Sequence, residues 1–338
     1  MSNSVRRSAL LRSNMLLPIS FADVLHAREV LRNHLLPTPL RHYRLLDDAL
    51  GNGAHVLVKH ENHQPTCSFK VRNGIAAVAA LTAEQRARGI VAATRGNHGQ
   101  GLAWAGQLLG AHVTVCVPHG NSSEKNAAMR AMGATLAEVG RDYDDAVAHA
   151  EQLVQKLGLT LVHSSNNPDV LAGAATVTLE LVEQAARLDA LVVPLGGGSM
   201  AVGAITVLRQ LAPHVEIYAV QAANASAQHD SLRSGHMIEK EVLPTLADGL
   251  ATRTPYELTF EALFHGLTAC ITVTEAEIAE AMRVTLRTTH NLLEGAAGAA
   301  FAGLWKLRSE LADKTVAVVL SGSNIDQPVL MRVLNQEI

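Results

Sequence analysis

The chain has 338 residues, of which 48% are hydrophobic, 17% charged and 3% aromatic, and its formal net charge is −3. This length suits two domains or one large α/β unit, and the balance of 28 basic against 31 acidic residues excludes the basic surface typical of nucleic-acid-binding or membrane-binding proteins. Three widely spaced cysteines argue against a disulfide framework, and Arg12 interrupts the short apolar run near the start, so we expect a cytoplasmic protein with no secretory signal.

Short runs rich in β-branched residues alternate with Ala-rich helical stretches along most of the chain. The predicted strands are residues 55–59, 90–93, 112–117, 135–138, 160–163, 190–194, 216–220 and 315–320. The predicted helices are residues 69–81, 99–109, 123–132, 143–156, 170–186 and 199–211. Capping pairs mark helix starts at Ser20 with Asp23 and at Asn121 with Glu124. This alternation predicts an α/β fold in which right-handed βαβ crossovers build mainly parallel sheet covered on both faces.

The first motif with chemical meaning precedes the predicted helix at residues 69–81. Ser68 is a candidate cap for this helix, which places Lys70 in its first turn. A cation there opposes the helix dipole, so we expect the pKa of Lys70 to be lowered, and only a neutral amine attacks a carbonyl group. The commoner explanation of such a lysine, taken alone, is a solvated side chain at a helix end.

Two glycine-containing loops follow predicted strands, at the strand ends where doubly wound folds bind their ligands. Residues 94–101, Thr-Arg-Gly-Asn-His-Gly-Gln-Gly, either present backbone N–H groups to an anion or form an ordinary turn. Residues 196–200, Gly-Gly-Gly-Ser-Met, let the backbone approach a phosphate group at a helix start. The same loop satisfies a relaxed dinucleotide-binding pattern, but Gln221 stands where that pattern needs an acid after the next strand.

The last motif is Ser-Gly-Ser-Asn, which begins with Ser321 at the carboxyl end of the predicted strand 315–320. A serine there either reaches into a cofactor cleft or caps the final helix. The 16 histidines are scattered, and His60 and His63 have the wrong spacing for a helical zinc site, so we expect no metal ion there.

In their order along the chain, these four motifs resemble the fold-type II pyridoxal-phosphate enzymes, most closely the threonine/serine dehydratase and serine racemase group. The resemblance extends from Pro37 to about Asp326. It implies a tryptophan synthase β-like fold of two doubly wound open sheets. A large domain, residues 1–88 with 166–338, would bind the cofactor, and a small inserted domain, residues 89–165, would close over the substrate.

The resemblance implies pyridoxal 5'-phosphate as the cofactor and Lys70 as both its covalent anchor and the catalytic residue. Phe69 would lie against the cofactor ring, Asn97 would bond its 3-hydroxyl group, and Ser321 would face its pyridine nitrogen. The phosphate group would be held by Gly196, Gly197, Gly198, Ser199 and Met200, and the substrate would be held by Thr94, Arg95, Gly96 and His98. A neutral hydroxyl at Ser321 makes the ring a weaker electron sink than a carboxylate would, which favours β-elimination over transamination.

Several residues differ from the pattern of the group. Arg95 stands where the group usually has a hydroxyl residue, which serves as an acid/base in the racemases, so racemisation is not expected. Arg95 either pairs with a substrate carboxylate, which would suit an acidic substrate, or points outward. Cys67 stands in place of a customary glycine. Gln221, Ala225 and Ala227 replace carboxylates with which many members bind a divalent cation, so we expect no such metal site.

The implied function is α,β-elimination from a β-hydroxy amino acid of the threonine/serine type, giving a 2-oxo acid and ammonia, by a dehydratase (ammonia-lyase) that forms a homodimer. A β-replacement synthase or an amino-acid racemase on the same scaffold is the alternative among enzymes. A non-catalytic pyridoxal-phosphate-binding protein is the alternative from another class. The joint presence of Lys70, Asn97 and Ser321 argues against it, because a silent binder has no need of a free amine beside the ring.

Overall fold

Strands and helices alternate throughout the computed structural model, which describes residues 17–141 and 143–338, without the side chain of residue 144. The strands are β1 (Leu40–His42), β2 (His55–His60), β3 (Ile90–Ala93), β4 (Val113–Val117), β5 (Thr135–Glu138), β6 (Thr160–Leu161), β7 (Ala190–Pro194), β8 (Glu216–Ala222), β9 (Ala269–Val273) and β10 (Thr315–Leu320). The helices are α1 (Phe21–Leu31), α2 (Arg44–Leu50), α3 (Lys70–Ala80), α4 (Ala83–Arg88), α5 (Asn97–Leu109), α6 (Ser123–Ala131), α7 (Tyr143–Leu157), α8 (Pro168–Gln184), α9 (Ser199–Leu211), α10 (Ala227–Ser234), α11 (Glu257–Gly266), α12 (Glu275–Thr289), α13 (Gly295–Lys306) and α14 (Gln327–Leu334).

The strands form two sheets, as the predicted α/β fold requires. The large sheet has the order β1-β2-β10-β7-β8-β9, and the small sheet has the order β5-β4-β3-β6. All neighbouring strands are parallel except β1, which pairs antiparallel with β2 at the edge of the large sheet. The strand order reverses between β7 and β10 in the large sheet and between β3 and β6 in the small one. Crevices for ligands open at the carboxyl ends of strands at such reversals.

Buried apolar side chains cover both faces of both sheets. Helix α3 belongs to two cores, because Val71 and Ile75 pack with the small sheet while Phe69, just before the helix, packs with the large one. Helices α3 and α5 also approach very closely at two glycines. A Cβ atom added at Gly74 would lie 2.2 Å from the carbonyl oxygen of Gly101, and one at Gly101 would lie 2.3 Å from the carbonyl oxygen of Lys70.

All eight predicted strands are present, although two are shorter than expected. The strand predicted at 112–117 begins at Val113, and the one predicted at 160–163 ends at Leu161. The second ends early because the His163 side chain accepts hydrogen bonds from the backbone N–H groups of Ser165 at 3.1 Å and Asn166 at 2.8 Å, which turn the chain away. The six predicted helices are also present, with ends that shift by one or two residues.

Two of the predicted helix caps are wrong and one is confirmed. Ser20 and Asp23 form the expected capping box at α1. Asn121 does not cap α6, because Ser122 does so by accepting the N–H of Lys125 at 3.0 Å. Ser68 does not cap α3, because the helix begins one residue later than a Ser68 cap would require and the buried Ser68 hydroxyl has no hydrogen-bond partner among the described residues.

No helix among the described residues has the length and apolar character needed to cross a membrane. The residues on which the expectation of no secretory signal rests, including Arg12, lie outside the described part of the chain. The division into a large domain and an inserted domain at residues 89 and 165 stays a prediction.

Candidate active site

The loops at the two strand-order reversals open into one cavity of about 1060 Å³. Its lining includes every predicted site residue: Phe69, Lys70, Thr94, Arg95, Gly96, Asn97, His98, Gly196, Gly197, Gly198, Ser199, Met200 and Ser321. Motifs that are far apart in the chain therefore meet, because the loop after β3 in the small sheet and the loops after β7 and β10 in the large sheet line the same cavity.

Lys70 is the first residue of α3, and its amine lies deep in the cavity. Nζ donates a hydrogen bond to the carbonyl oxygen of Ser164 at 3.3 Å and lies 4.9 Å from the centre of the Phe69 ring. Burial lowers the pKa of Lys70 to about 8, although the charge of Glu294 opposes this shift. The direction agrees with the sequence prediction, but the cause is burial where the prediction invoked the helix dipole. A substantial fraction of the amine is therefore neutral near pH 8.

The loop after β3 brings the side-chain amide of Asn97 into the cavity, where three hydrogen bonds orient it. Asn97 Nδ2 donates to both carboxylate oxygens of Glu294, at 2.8 and 2.9 Å, and Asn97 Oδ1 accepts from Asn324 Nδ2 at 2.8 Å. Beside it, Nε2 of His98 donates to the carbonyl oxygen of Val162 at 2.9 Å. Burial and the charge of Lys70 lower the pKa of His98 to about 3, so its imidazole is neutral.

The glycine loop after β7 offers a cradle for an anion. Gly198 has φ of 99°, a left-handed conformation that favours glycine, and directly precedes α9. A Cβ atom at Gly197 would lie 2.3 Å from the Ser165 hydroxyl oxygen, so a larger residue there would collide with Ser165 unless that side chain moved. The first N–H groups of α9, from Ser199 onward, have no partner within the helix and carry its positive dipole end. These are donors suited to a phosphate group.

Ser321 directly follows β10, and only 2% of its surface is exposed. Its carbonyl oxygen accepts the N–H of Phe69 at 3.1 Å, which joins the Lys70 loop to the strand end. Its hydroxyl has no hydrogen-bond partner among the described residues. Ser321 does not cap the final helix, because α14 begins at Gln327 and follows Asp326. An unpartnered hydroxyl beside the amine and the anion cradle fits a cofactor with a polar ring atom and a phosphate group.

Three further side chains line the cavity that the motifs did not predict. Lys125, from α6, forms an ion pair with Asp248, and both lie near Glu294. Burial raises the pKa of Glu294 to about 7, although Lys125 opposes the shift. Both acids lie within the part of the chain that resembles the dehydratase group, but the resemblance assigned no role to them. Together they offset the positive charge of Lys70 and Lys125.

His163 closes the cavity on the side of Ser164. Its ring makes an edge contact with Tyr256 at 4.6 Å between centres, and both residues line the cavity. Burial and the charge of Lys70 lower the pKa of His163 to about 4. The strand that brings His163 here was predicted, but the turn made by its own side chain was not.

Arg95 is an exposed residue of the cavity lining. Its carbonyl oxygen accepts a hydrogen bond from Asn121 Nδ2 at 3.1 Å, which fixes the backbone of the loop. Among the side chains that the structure describes, no carboxylate lies within ion-pair distance of its guanidinium. The other arginine of the cavity, Arg253, pairs with Glu239 at 2.7 Å. Arg95 is therefore available to an anionic ligand group.

The two places where the sequence argued against a metal ion are occupied by other contacts. His60 and His63 stack at 4.7 Å between ring centres, and His60 Nε2 lies 2.9 Å from the Tyr43 hydroxyl. Gln221 is fully buried, and its Oε1 accepts the N–H of His229 at 2.9 Å.

Comparison with known proteins shows which family this chain is similar to. The family model described as "Pyridoxal-phosphate dependent enzyme" matches residues 31–322. An L-threonine ammonia-lyase of Thermotoga maritima is 35% identical over 94% of this chain and 79% of the relative. An L-threo-3-hydroxyaspartate ammonia-lyase of Saccharomyces cerevisiae is 33% identical over 92% of this chain and 95% of the relative. The structure of the processed threonine deaminase isoform 2 of Solanum lycopersicum superposes with a TM-score of 0.87 at 29% identity, covering 93% of this chain and 91% of the other.

Proposed function

The chain belongs to the family of pyridoxal-phosphate dependent enzymes, and we propose that Lys70 carries its chemistry and that Arg95 selects a substrate with a second carboxylate. The enzyme is a pyridoxal-phosphate-dependent lyase that eliminates ammonia from a β-hydroxy amino acid and yields a 2-oxo acid. The observation that carries the proposal is the meeting in one cavity of a lysine amine with a lowered pKa, an anion cradle and Arg95, whose guanidinium has no carboxylate partner among the described side chains.

The residues of the cavity fit this cofactor. We assign its phosphate group to the loop from Gly196 to Met200, its ring to Phe69 and Asn97, and its ring nitrogen to Ser321. When bound, pyridoxal phosphate supplies an electron sink for negative charge at the substrate α-carbon. Because serine carries no charge, it cannot hold the ring nitrogen protonated as a carboxylate would, which supports elimination over transamination.

Lys70 has the properties of a base for the α-proton of the substrate. Its Nζ accepts a proton only when neutral, and the pKa of about 8 makes the neutral form accessible near physiological pH. The hydrogen bond to the Ser164 carbonyl oxygen holds the amine on the cavity side of α3. Thr94 and His98 form part of the cavity wall beside it. Thr94 Oγ1 accepts the N–H of Gly96 at 3.1 Å, which fixes the loop.

Arg95 is the residue that we assign to substrate choice. An arginine pairs well with a carboxylate because its planar fork donates two parallel hydrogen bonds. The position of Arg95 at the exposed edge of the cavity lets it meet the distal end of a substrate whose α-carbon lies near Lys70. The yeast relative named for L-threo-3-hydroxyaspartate supports an acidic substrate of this kind.

The test compares 2-oxo acid formation from serine, threonine and 3-hydroxyaspartate by the purified holoenzyme. We expect Arg95→Ser to lower the ratio of kcat/KM for 3-hydroxyaspartate over threonine by about tenfold or more, since a hydrogen-bonded charge pair contributes about 1.5–3 kcal/mol. Arg253→Ser is the matched control, because that arginine already has a partner and should leave the ratio unchanged. An unchanged ratio in Arg95→Ser would remove Arg95 from substrate choice.

The role of Lys70 has its own test. Lys70→Ala should abolish both 2-oxo acid formation and the visible absorption of the covalently held cofactor. If the variant kept both, the catalytic assignment would be wrong. Exchange of the α-proton in heavy water without 2-oxo acid formation by the wild-type enzyme would favour a racemase instead.

We also propose that the enzyme is a homodimer and works in the cytoplasm. The resemblance to the dehydratase group supports the dimer, and sedimentation of the holoenzyme at several concentrations measures it. The described cysteines support a reducing compartment, because Cys67, Cys116 and Cys270 are all free thiols.

A further inference from the structure

A second cluster of ligand-type side chains lies at the edge of the large sheet, on β1, α2 and β2. It consists of His42, Asp47 and His55, whose donor atoms all lie within 4.8 Å of one another. His42 Nε2 is 2.6 Å and His55 Nδ1 is 3.7 Å from the same carboxylate oxygen, Asp47 Oδ2. The centres of the two imidazole rings lie 3.9 Å apart, and the ring planes are tilted by 39°.

The fold brings these three residues together although no sequence motif joins them. In the antiparallel β1–β2 pair His42 is opposite Leu57, so His55, two residues before Leu57, lies diagonally across on the same face. The carboxylate of Asp47 is fixed by its other oxygen, because Oδ1 accepts the backbone N–H of Val56 at 2.9 Å. This bond leaves Oδ2 directed at the two imidazoles.

We propose that His42, Asp47 and His55 bind a divalent transition-metal ion of the zinc class. Two imidazole nitrogens and one carboxylate oxygen are a donor set that such ions prefer, and an outer hydrogen bond to a ligand carboxylate is the usual support. Tetrahedral zinc holds its ligand atoms about 3.3 Å apart. The separations of 2.6 and 3.7 Å from Asp47 Oδ2 bracket that value, and the two histidine nitrogens lie within 4.8 Å of each other. Half of the His55 side chain is exposed, 49%, so water has access to the fourth position.

The cluster is separate from the cavity. Along the parallel pair of β2 and β10, His55 is opposite Thr315 and His60 is opposite Leu320. The cavity begins at Ser321, beyond the other end of these strands, so His55 lies about 15 Å or more from it at about 3.3 Å per residue. A metal ion at this site would join β1, α2 and β2 and stabilise the folded protein without entering the reaction.

The experiment titrates tag-free holoenzyme with ZnCl₂ in a calorimeter and follows thermal unfolding with and without the metal. We expect one zinc ion per chain to bind at this site, with its affinity lowered about tenfold or more by His42→Ala, His55→Ala or Asp47→Asn. His236→Ala is the matched control, because that exposed histidine lies outside the cluster, and it should bind as the wild type does. Zinc should raise the unfolding temperature of the wild type and the control more than that of the three variants.

All four variants lie outside the catalytic cavity, so 2-oxo acid formation checks that each is folded. Bound Co²⁺ gives a second readout, because its visible spectrum reports imidazole ligands in the wild type and should lose that signature in His55→Ala. Absence of zinc binding to the wild type overturns the proposal. So does a loss of less than tenfold in both histidine variants, which would assign the bound zinc to other surface groups.

Discussion

Arg72 donates two hydrogen bonds to the carboxylate of Glu61, from Nε to Oε2 at 2.8 Å and from Nη2 to Oε1 at 3.0 Å. Both side chains are almost completely buried, with 1% and 0% exposure. Arg72 also pairs with Glu180 on α8 at 2.6 Å, and Lys59 on β2 pairs with the same acid at 2.8 Å. Since Arg72 lies two residues after Lys70, this network fixes the start of α3 and, through it, the position of the catalytic amine.

Removing Glu61 from this network should destabilise the protein strongly. We expect Glu61→Gln to lower the free energy of unfolding by about 3 kcal/mol, because it leaves a buried guanidinium with too little negative charge. Urea unfolding of the wild type and the variant measures this loss. Arg28→Gln is the control, since it removes the exposed pair of Arg28 with Glu183 and should cost less than about 1 kcal/mol.

The double variant Glu61→Gln/Arg72→Met completes the measurement. We expect it to lose less stability than the sum of the two single variants, because the residues contact each other. Strictly additive losses would contradict a direct coupling of the pair.

Cofactor uptake should depend on the protonation of Lys70. The pKa of about 8 predicts that the apoprotein binds pyridoxal phosphate covalently at a rate that rises with pH and reaches half of its maximum near pH 8, because only the neutral amine reacts. Stopped-flow absorbance of the cofactor measures the rate between about pH 6 and 9.5. A rate that does not change over this range would contradict the lowered pKa, and Lys70→Ala should show no covalent phase at all.

Glu294 should make stability depend on pH. Its folded pKa of about 7 is above the ordinary value of 4.5, so the stability that its protonated form contributes is complete below pH 4.5 and lost as the pH rises through 7. Glu294→Gln imitates the protonated form at every pH. Its stability relative to the wild type should therefore rise by about 3 kcal/mol as the pH increases from below 4.5 to above 7. Unfolding at pH 5 and pH 8 tests this, with the exposed Glu151→Gln as the control. Parallel pH curves for wild type and Glu294→Gln would refute it.

Cys67 occupies a strained position in the Lys70 loop. Its φ of 53° lies in the left-handed region, which costs a residue with a Cβ atom about 1–2 kcal/mol. We expect Cys67→Gly to stabilise the protein by about 1 kcal/mol in thermal or urea unfolding. Cys67→Ala removes the thiol but keeps the Cβ atom, so it should give no gain; equal stabilisation by Ala and Gly would show that the backbone strain is not the cause.

The glycine contact between α3 and α5 should not tolerate a methyl group. Gly101→Ala would bring its Cβ atom to 2.3 Å from the carbonyl oxygen of Lys70, so the helices must separate, at a cost of about 1–3 kcal/mol. Cofactor affinity, measured by fluorescence or dialysis, should fall as well because the amine moves. Leu108→Ala, on the exposed side of α5, is the control and should retain both stability and affinity.

The fold was predictable where each element carries its own pattern. Strands β3 and β7 are buried along their full lengths, β10 is buried except at Thr315, and all three read as short, mostly apolar runs. Strand β1 has only three residues, and β9 is an edge strand with mixed burial in a region that reads as irregular, so neither has a periodicity to detect. The missed turn at His163 depends on a side-chain-to-backbone bond that periodicity does not show.

The candidate site was predictable as far as its motifs follow strands. Loops after β3, β7 and β10 converge because the strand order reverses beside them. Lys125 and Glu294 were missed because their meaning comes from contacts across more than a hundred residues: Asn97 and Glu294, for example, are 197 residues apart in the chain. The pKa shifts of Lys70 and Glu294 follow from burial, which only the three-dimensional packing determines.

Helix α3 begins with the reactive amine and contributes to the cores of both sheets. The stability of the fold and the position of the reactive amine therefore depend on the same helix. A substitution in the small sheet that improves packing around Ile75 also shifts Lys70, so it changes the turnover rate as well as the stability of the fold. Directed evolution for heat tolerance should therefore find stabilising substitutions that leave the turnover rate unchanged far from α3, on the outer helices. Stabilising substitutions near α3 should change the turnover rate as well.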